Sequence, residues 1–268
     1  MFSEHNIKSR LPAVADQFYP ADATRLSAML EQMLESARPA SRSHIKAIIV
    51  PHAGYIYSGP VAASAYQALR NQAEEIRRVV LLGPSHRVGF HGVATTSANE
   101  YVMPFGSVRV DSAAMNLISA LPQVQQLDQA HQYEHSLEVQ LPFLQSVLTD
   151  FSLVPLVVGD CTAQQVAEVI ETLWDGAETL IVISSDLSHY HSYEVAREMD
   201  QKTSQAIVNL APEHIQFDDA CGRNPVNGLL LAARNHDLHA QLIDLRNSGD
   251  TAGSHDRVVG YGSYLFSC

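Results

Sequence analysis

Apolar residues follow two patterns along the chain. Runs without polar interruption occur at Ala47–Val50, Val79–Leu82, Leu153–Val158 and Leu180–Ile183. Such runs lack the period-two alternation of a half-solvated strand and predict strands buried on both faces of a sheet. Two more strands are expected at Gln241–Arg246 and Val259–Phe266. Helical spacing appears between these runs. Pro60, after Gly59, fits the first position of a helix on which Val61, Ala65 and Leu69 recur. Thr162 and Gln165 form a capping box ahead of Val166, Ile170 and Leu173, and Gly176 supplies a stop. Leu137, Leu141, Leu144 and Leu148 make a stripe that Pro142 should kink or interrupt. These stripes read as core faces. Strand and helix signals alternate from end to end, with no internal repeat and no linker. The expectation is one α/β domain over residues 1–268, with a central mostly parallel or mixed sheet flanked by helices.

Composition narrows the class of function. The 268 residues carry 17 Lys+Arg against 29 Asp+Glu, a net charge of −12, and 46% are hydrophobic. That is apolar material enough for a full core. The acidic balance, and the absence of any basic run longer than a pair, argue against nucleic acid as a partner. No apolar stretch approaches the roughly 18–20 residues of a membrane span. The opening MFSEHNIKSR has neither an apolar leader region nor a small-residue cleavage site. Cys161, Cys221 and Cys268 are widely spaced with no CxxC, a pattern that suits a reducing cytosol. A cytoplasmic location is expected.

Three segments share one plan, a buried strand followed by a sharp polar loop with a histidine. They are KAIIV-PHAG with His52, RRVVLLG-PSH with His86, and TLIVISSD-LSH with Asp186 and His189. Ligands in open α/β sheets bind beyond the carboxyl ends of the strands, where loops from adjacent strands would gather these four side chains. Imidazoles suit Fe, Cu, Zn and Ni, and an anionic partner would strengthen the set. Asp186 and the thiolate of Cys221 are the candidates. Cys221 lies in ACGRNPVNG, where Gly222 frees the backbone and Asn224-Pro225 marks a turn before a helix near Val226–Arg234. Cys161 and Cys268 lack such a setting and read as structural.

His135, in QYEHSLEVQLPF, precedes Ser136, which can serve as an N-cap. The positive end of a helix there would favour a neutral ring, suited to an electrophile, a proton relay, a substrate contact or a structural hydrogen bond. Glu134 and Glu138 flank it, either to orient the ring or simply as solvated groups. His191 is an alternate ligand beside His189, while His5, His44, His214, His236 and His239 sit in polar segments and read as surface residues. GxSxG, the P-loop, GxGxxG and HExxH are all absent, which leaves a metal site built from strand-end loops.

RLPAVADQFYPAD, VPHAGYIYSG, LLGPSH, EHSLEVQLPFLQ, VPLVVGD, ISSDLSHY, CGRNPVNGLL and GYGSYLF run in order from about residue 10 to the C-terminus. Together they resemble the Memo family, whose bacterial members include protein B of the AmmeMemoRadiSam system. The resemblance implies the α/β fold of the class III extradiol dioxygenases, the protocatechuate 4,5-dioxygenase type, which use non-haem Fe(II). It implies that His52 and His86 bind the metal and that Cys221 stands where those dioxygenases carry a glutamate ligand. His189 would match their acid/base histidine, with Asp186 and His135 as further pocket residues. A thiolate in place of a carboxylate suits Fe(II) or copper but is open to oxidation beside activated oxygen, so ring cleavage does not follow from the fold. The expectation is an iron site, with copper or zinc as alternatives, acting in redox chemistry on an unassigned small molecule. Three other readings stand beside it: a non-catalytic partner of a radical-SAM enzyme and the companion protein of that system, a zinc hydrolase or lyase, and a metal-free pocket with Cys221 as a redox thiol.

Overall fold

The computed structural model describes residues 7–37 and 44–268; His5 lies outside them. The main sheet is built from β1 (Ile45–Val50), β2 (Arg78–Pro84), β3 (Val93–Thr95), β4 (Val124–Gln126), β5 (Ser152–Val158), β6 (Thr179–Ser184), β7 (His189–His191), β8 (His239–Asn247) and β9 (Val258–Ser267). Its order is β7-β9-β1-β6-β2-β5-β3-β4, with β8 also paired to β9. The four apolar runs form the parallel centre, β1-β6-β2-β5, and β8 and β9 add an antiparallel flank.

Side chains alternate across that centre, yet both sets are apolar. Ile48, Val50, Val79, Leu81, Val157 and Val182 enter one core with Leu26, Leu30 and Phe143 from helices Ala23–Ser36 and Leu141–Val147. Ala47, Ile49, Val80, Leu82, Leu156 and Ile183 enter the other, with Val166 and Ile170 from helix Ala163–Thr172 and Leu229 and Leu230 from helix Arg223–Asn235. Two covered faces explain the unbroken apolar runs. Each buried valine, leucine, isoleucine or phenylalanine here contributes about 1.5–3 kcal/mol relative to exposure. Among the described residues, no helix is long and apolar enough to cross a membrane.

Helix boundaries depart from expectation at several points. The helix carrying Pro60 spans Tyr55–Ala68, so Pro60 lies inside it rather than at its start. The Tyr55 N–H is taken by the Phe18 carbonyl at 2.8 Å, which fixes the entry directly after Gly54. The N–H that Pro60 lacks would have bonded Ile56, an exposed residue where water can replace it. Pro142 does not kink a helix. A 3-10 turn at Glu138–Gln140 precedes it, and the α-helix begins at Leu141 with the proline in its first turn. The capping box at Thr162 and Gln165 is present, but the helix ends at Thr172, short of Gly176. Asn224-Pro225 belongs to the first turn of helix Arg223–Asn235, because a proline there has no intrahelical N–H to lose. His236 is half-buried rather than a free surface residue, stacked on Trp174 at 3.8 Å and 2.6 Å from Glu171.

Candidate functional site

The parallel centre delivers its loops to one edge. Val50 is paired with Ser184 and Leu82 with Ile183, so Pro51-His52, Ser85-His86 and Ser185-Asp186 leave adjacent strands side by side. His52, His86 and His135 each offer a ring nitrogen within 4.8 Å of the other two. His52 is buried, His135 half-buried and His86 exposed, so the trio opens outward on one side.

Hydrogen bonds fix which nitrogen two of these rings present. Ser184 Oγ donates its single hydrogen to the Ser136 carbonyl at 2.6 Å and receives one from Gln140 Nε2 at 2.8 Å. It must therefore accept from His52 Nδ1 at 2.9 Å, which leaves His52 Nε2 as the ring's acceptor atom, facing Cys221 Sγ. His86 Nδ1 donates to Glu134 Oε1 at 2.8 Å, which likewise leaves Nε2 as that ring's acceptor atom. Glu134 also accepts the backbone N–H groups of His86, His135 and Ser136, at 2.6, 3.0 and 2.9 Å. Burial would raise its pKa, but the His86 ring and these N–H groups together hold it at about 2. His135 is not locked in this way. Its Nδ1 is buried without a hydrogen-bond partner, 3.3 Å from Glu134 Oε1, and its ring stacks on His86 at 4.5 Å.

His135 does not stand at a capped helix start, because the 3-10 turn that follows begins only at Glu138. Ser136 caps nothing, since its hydroxyl donates to the Pro84 carbonyl at 2.9 Å. The ring is nevertheless kept neutral, its pKa lowered to about 4 by burial first and by His52 second. His52 is lowered well below the ordinary value, again by burial and then by His86. Glu134 orients His86 rather than the ring of its neighbour. Glu138 is not solvated and orients no site ring; it is fully buried and its carboxylate is paired with Arg10.

Asp186 and Cys221 lie beside the trio rather than in it. Asp186 Oδ1 accepts the His52 backbone N–H at 2.7 Å, and burial raises the pKa of its carboxyl group. Cys221 Sγ lies 3.3 Å from His52 Nε2 and 3.6 Å from the Asp186 carbonyl. Its thiol is pushed up by burial and then by the Asp186 charge. Gly222 has an ordinary φ of −90°, so backbone freedom is not why glycine is there. A Cβ would stand 2.6 Å from Ser185, and its absence lets the Cys221 turn lie against the Ser184-Ser185 strand end. His189 Nδ1 donates to the Leu187 carbonyl at 2.8 Å, leaving Nε2 free. Tyr190 between His189 and His191 has φ of 62°, rare for a bulky residue, and β7 is bulged there. His52, His86, His135, Asp186, His189 and Cys221 line one cleft of about 1050 Å³, walled by Phe18, Tyr57, Tyr190 and Phe217.

The family profile of the Memo-like proteins matches residues 10–265. The chain belongs to the Memo family. Two relatives, each described as a "MEMO1 family protein", are 36% identical to it. One, from Ignicoccus hospitalis, covers 96% of this chain and 98% of its own, and one from Aquifex aeolicus covers 97% and 100%. The solved structure of an uncharacterized protein from Escherichia coli K12 shares the fold, with a TM-score of 0.55 at 14% identity over 81% of this chain and 99% of that one.

Several groups around the histidine cleft of this Memo-family chain carry no local sequence signal. Ser184 and Gln140 set the His52 tautomer, although neither residue type signals a metal or catalytic role. Phe18 packs edge-on against His135 at 4.9 Å from a segment distant in sequence. The signal for Glu134 was its place next to His135, but its ring partner is 48 residues away.

Proposed function

We propose that this Memo-family chain holds one metal ion at His52, His86 and His135, with Cys221 joining as a thiolate, and that it performs redox chemistry on a small molecule in the adjoining cleft. Iron(II) is the expected ion, with copper and zinc as the alternatives the same donors accept. The observation that carries the reading is the pair of fixed tautomers, since His52 and His86 each spend Nδ1 on a hydrogen-bond acceptor and keep Nε2 as a donor atom. Ligating imidazoles held in this manner are usual at metal centres. All three rings fit the role chemically, because burial keeps His52 and His135 neutral and the Glu134 carboxylate holds His86 Nδ1 as the donor.

When bound, the ion would supply a Lewis-acidic, redox-active centre. The chain's own groups do the rest. Glu134 anchors the His86 loop through its ring and backbone, and Asp186 fixes the His52 backbone. His189, oriented by Leu187, offers Nε2 to take or return a proton at the cleft. The Cys221 thiol stands within reach of His52 Nε2, so as a thiolate Cys221 would join the three rings in holding the ion.

Cobalt(II) added anaerobically tests the ligand set. The expected result is a thiolate-to-cobalt absorption band in the near ultraviolet that disappears in Cys221→Ser, while the rings still bind the ion. Affinity should fall as pH falls, since thiol and imidazole protons compete with the metal. A wild-type spectrum without that band would remove Cys221 from the set. Failure of the wild-type protein to bind cobalt would overturn the proposal.

A further inference from the structure

Beside Cys221 the histidine cleft adjoins a smaller hollow of about 560 Å³, the two sharing Pro84, Ser85, Phe217 and Cys221 as lining residues. Both volumes suit small-molecule ligands. Acidic side chains line each of them: Asp186 and Asp218 in the larger, Asp160 in the smaller. Among the described residues, Arg223 is the only lysine or arginine that lines either cleft.

The setting of Arg223 is unusual for a cation in a chain of net charge −12. No carboxylate of the described residues lies within ion-pairing distance of it. Its Nε and Nη2 instead donate to Asn224 Oδ1 at 3.2 and 3.0 Å, and the guanidinium sits 5.8 Å from the Phe217 ring centre. Asn224 is itself pinned, its Nδ2 donating to the Gly159 carbonyl at 2.9 Å. A neutral amide and an aromatic face orient the guanidinium without neutralising it. Asp160 offers no compensation, being exposed and 3.1 Å from His91. An arginine oriented beforehand loses less freedom when it takes a planar anion than a free surface lysine would.

We propose that Arg223 is an oxyanion-binding residue, and that the cleft takes a small organic molecule whose carboxylate or phosphate group docks on this guanidinium. Its other end reaches past Phe217 and Cys221 toward the three histidines. That this ligand meets a metal there rests on the function proposed above; the oxyanion site itself does not.

The test is a calorimetric titration of metal-free protein with succinate and, separately, inorganic phosphate. Wild type is expected to bind at least one, the tighter probe identifying the group. R223Q should bind it roughly tenfold or more weakly, the size of one charge-assisted contact, with R223K in between. Equal binding by R223Q and wild type, or no binding of either probe by wild type, would overturn the proposal. Cobalt titration of the wild-type protein is scored separately, so a failed metal reading is not mistaken for a failed anion site.

Discussion

Glu138→Ala should cost this protein about 3–5 kcal/mol of folding stability, the range for breaking a buried ion pair from one side. The Glu138 side chain is fully buried and its carboxylate pairs with Arg10 Nη1. It also accepts the N–H groups of Ala13 and Val14, at 2.8 and 3.0 Å, and the Tyr19 hydroxyl at 2.6 Å. Arg10 continues the network to the carbonyls of His131 and Glu134, at 3.1 and 2.6 Å. Alanine at position 138 would strand a buried guanidinium and three further donors. The same contacts hold the segment that carries Phe18 against His135, so the cleft wall should loosen as well. Urea unfolding of the variant should show a large drop in midpoint. The double variant Arg10→Met with Glu138→Leu should recover part of the loss, because it no longer buries a lone charge. An unchanged midpoint for Glu138→Ala would show that the network is not a main anchor of the fold.

Glu134→Ala should weaken metal binding about 10–100-fold while leaving all three imidazoles in place. This carboxylate fixes the His86 tautomer and also collects three backbone N–H groups of the loops that carry His86 and His135. Competition against a chelator of known affinity reads the change directly. The pH dependence separates this effect from ligand protonation. Because the folded-state pKa of Glu134 is depressed from 4.5 to about 2, its stabilising contribution is fully present above pH 4.5 and is lost as pH falls toward 2. Between pH 7 and 5, Glu134 therefore stays ionised, and any loss of affinity there reflects protons on the ligands. Equal affinity in wild type and Glu134→Ala would remove the carboxylate from the metal account.

The sheet centre was legible because β1, β2, β5 and β6 are covered on both faces, which leaves continuous apolar runs in the chain. β3, β4 and β7 were not, since three residues at a sheet margin carry no periodicity to detect. His52 and His86 could be placed together from sequence because parallel strands export their loops to one edge. Residues that reach the site from elsewhere gave weaker signals. His135 comes from the loop before a 3-10 turn, so its approach to His86 depends on Glu134 bridging two loops. Cys221 was visible as a cysteine in a turn, but its 3.3 Å approach to His52 depends on Gly222 packing against Ser185. Ser184 and Gln140 act only through tertiary hydrogen bonds, which no local pattern encodes.

Metal content of protein purified anaerobically without chelators, measured by mass spectrometry beside the double variant His52→Ala/His86→Ala, tests the central claim most directly. The account predicts near-stoichiometric iron, or copper or zinc in its place, in the wild type and its loss in the variant. Wild-type protein that is metal-free and also refuses added Fe(II), Cu and Zn would contradict it.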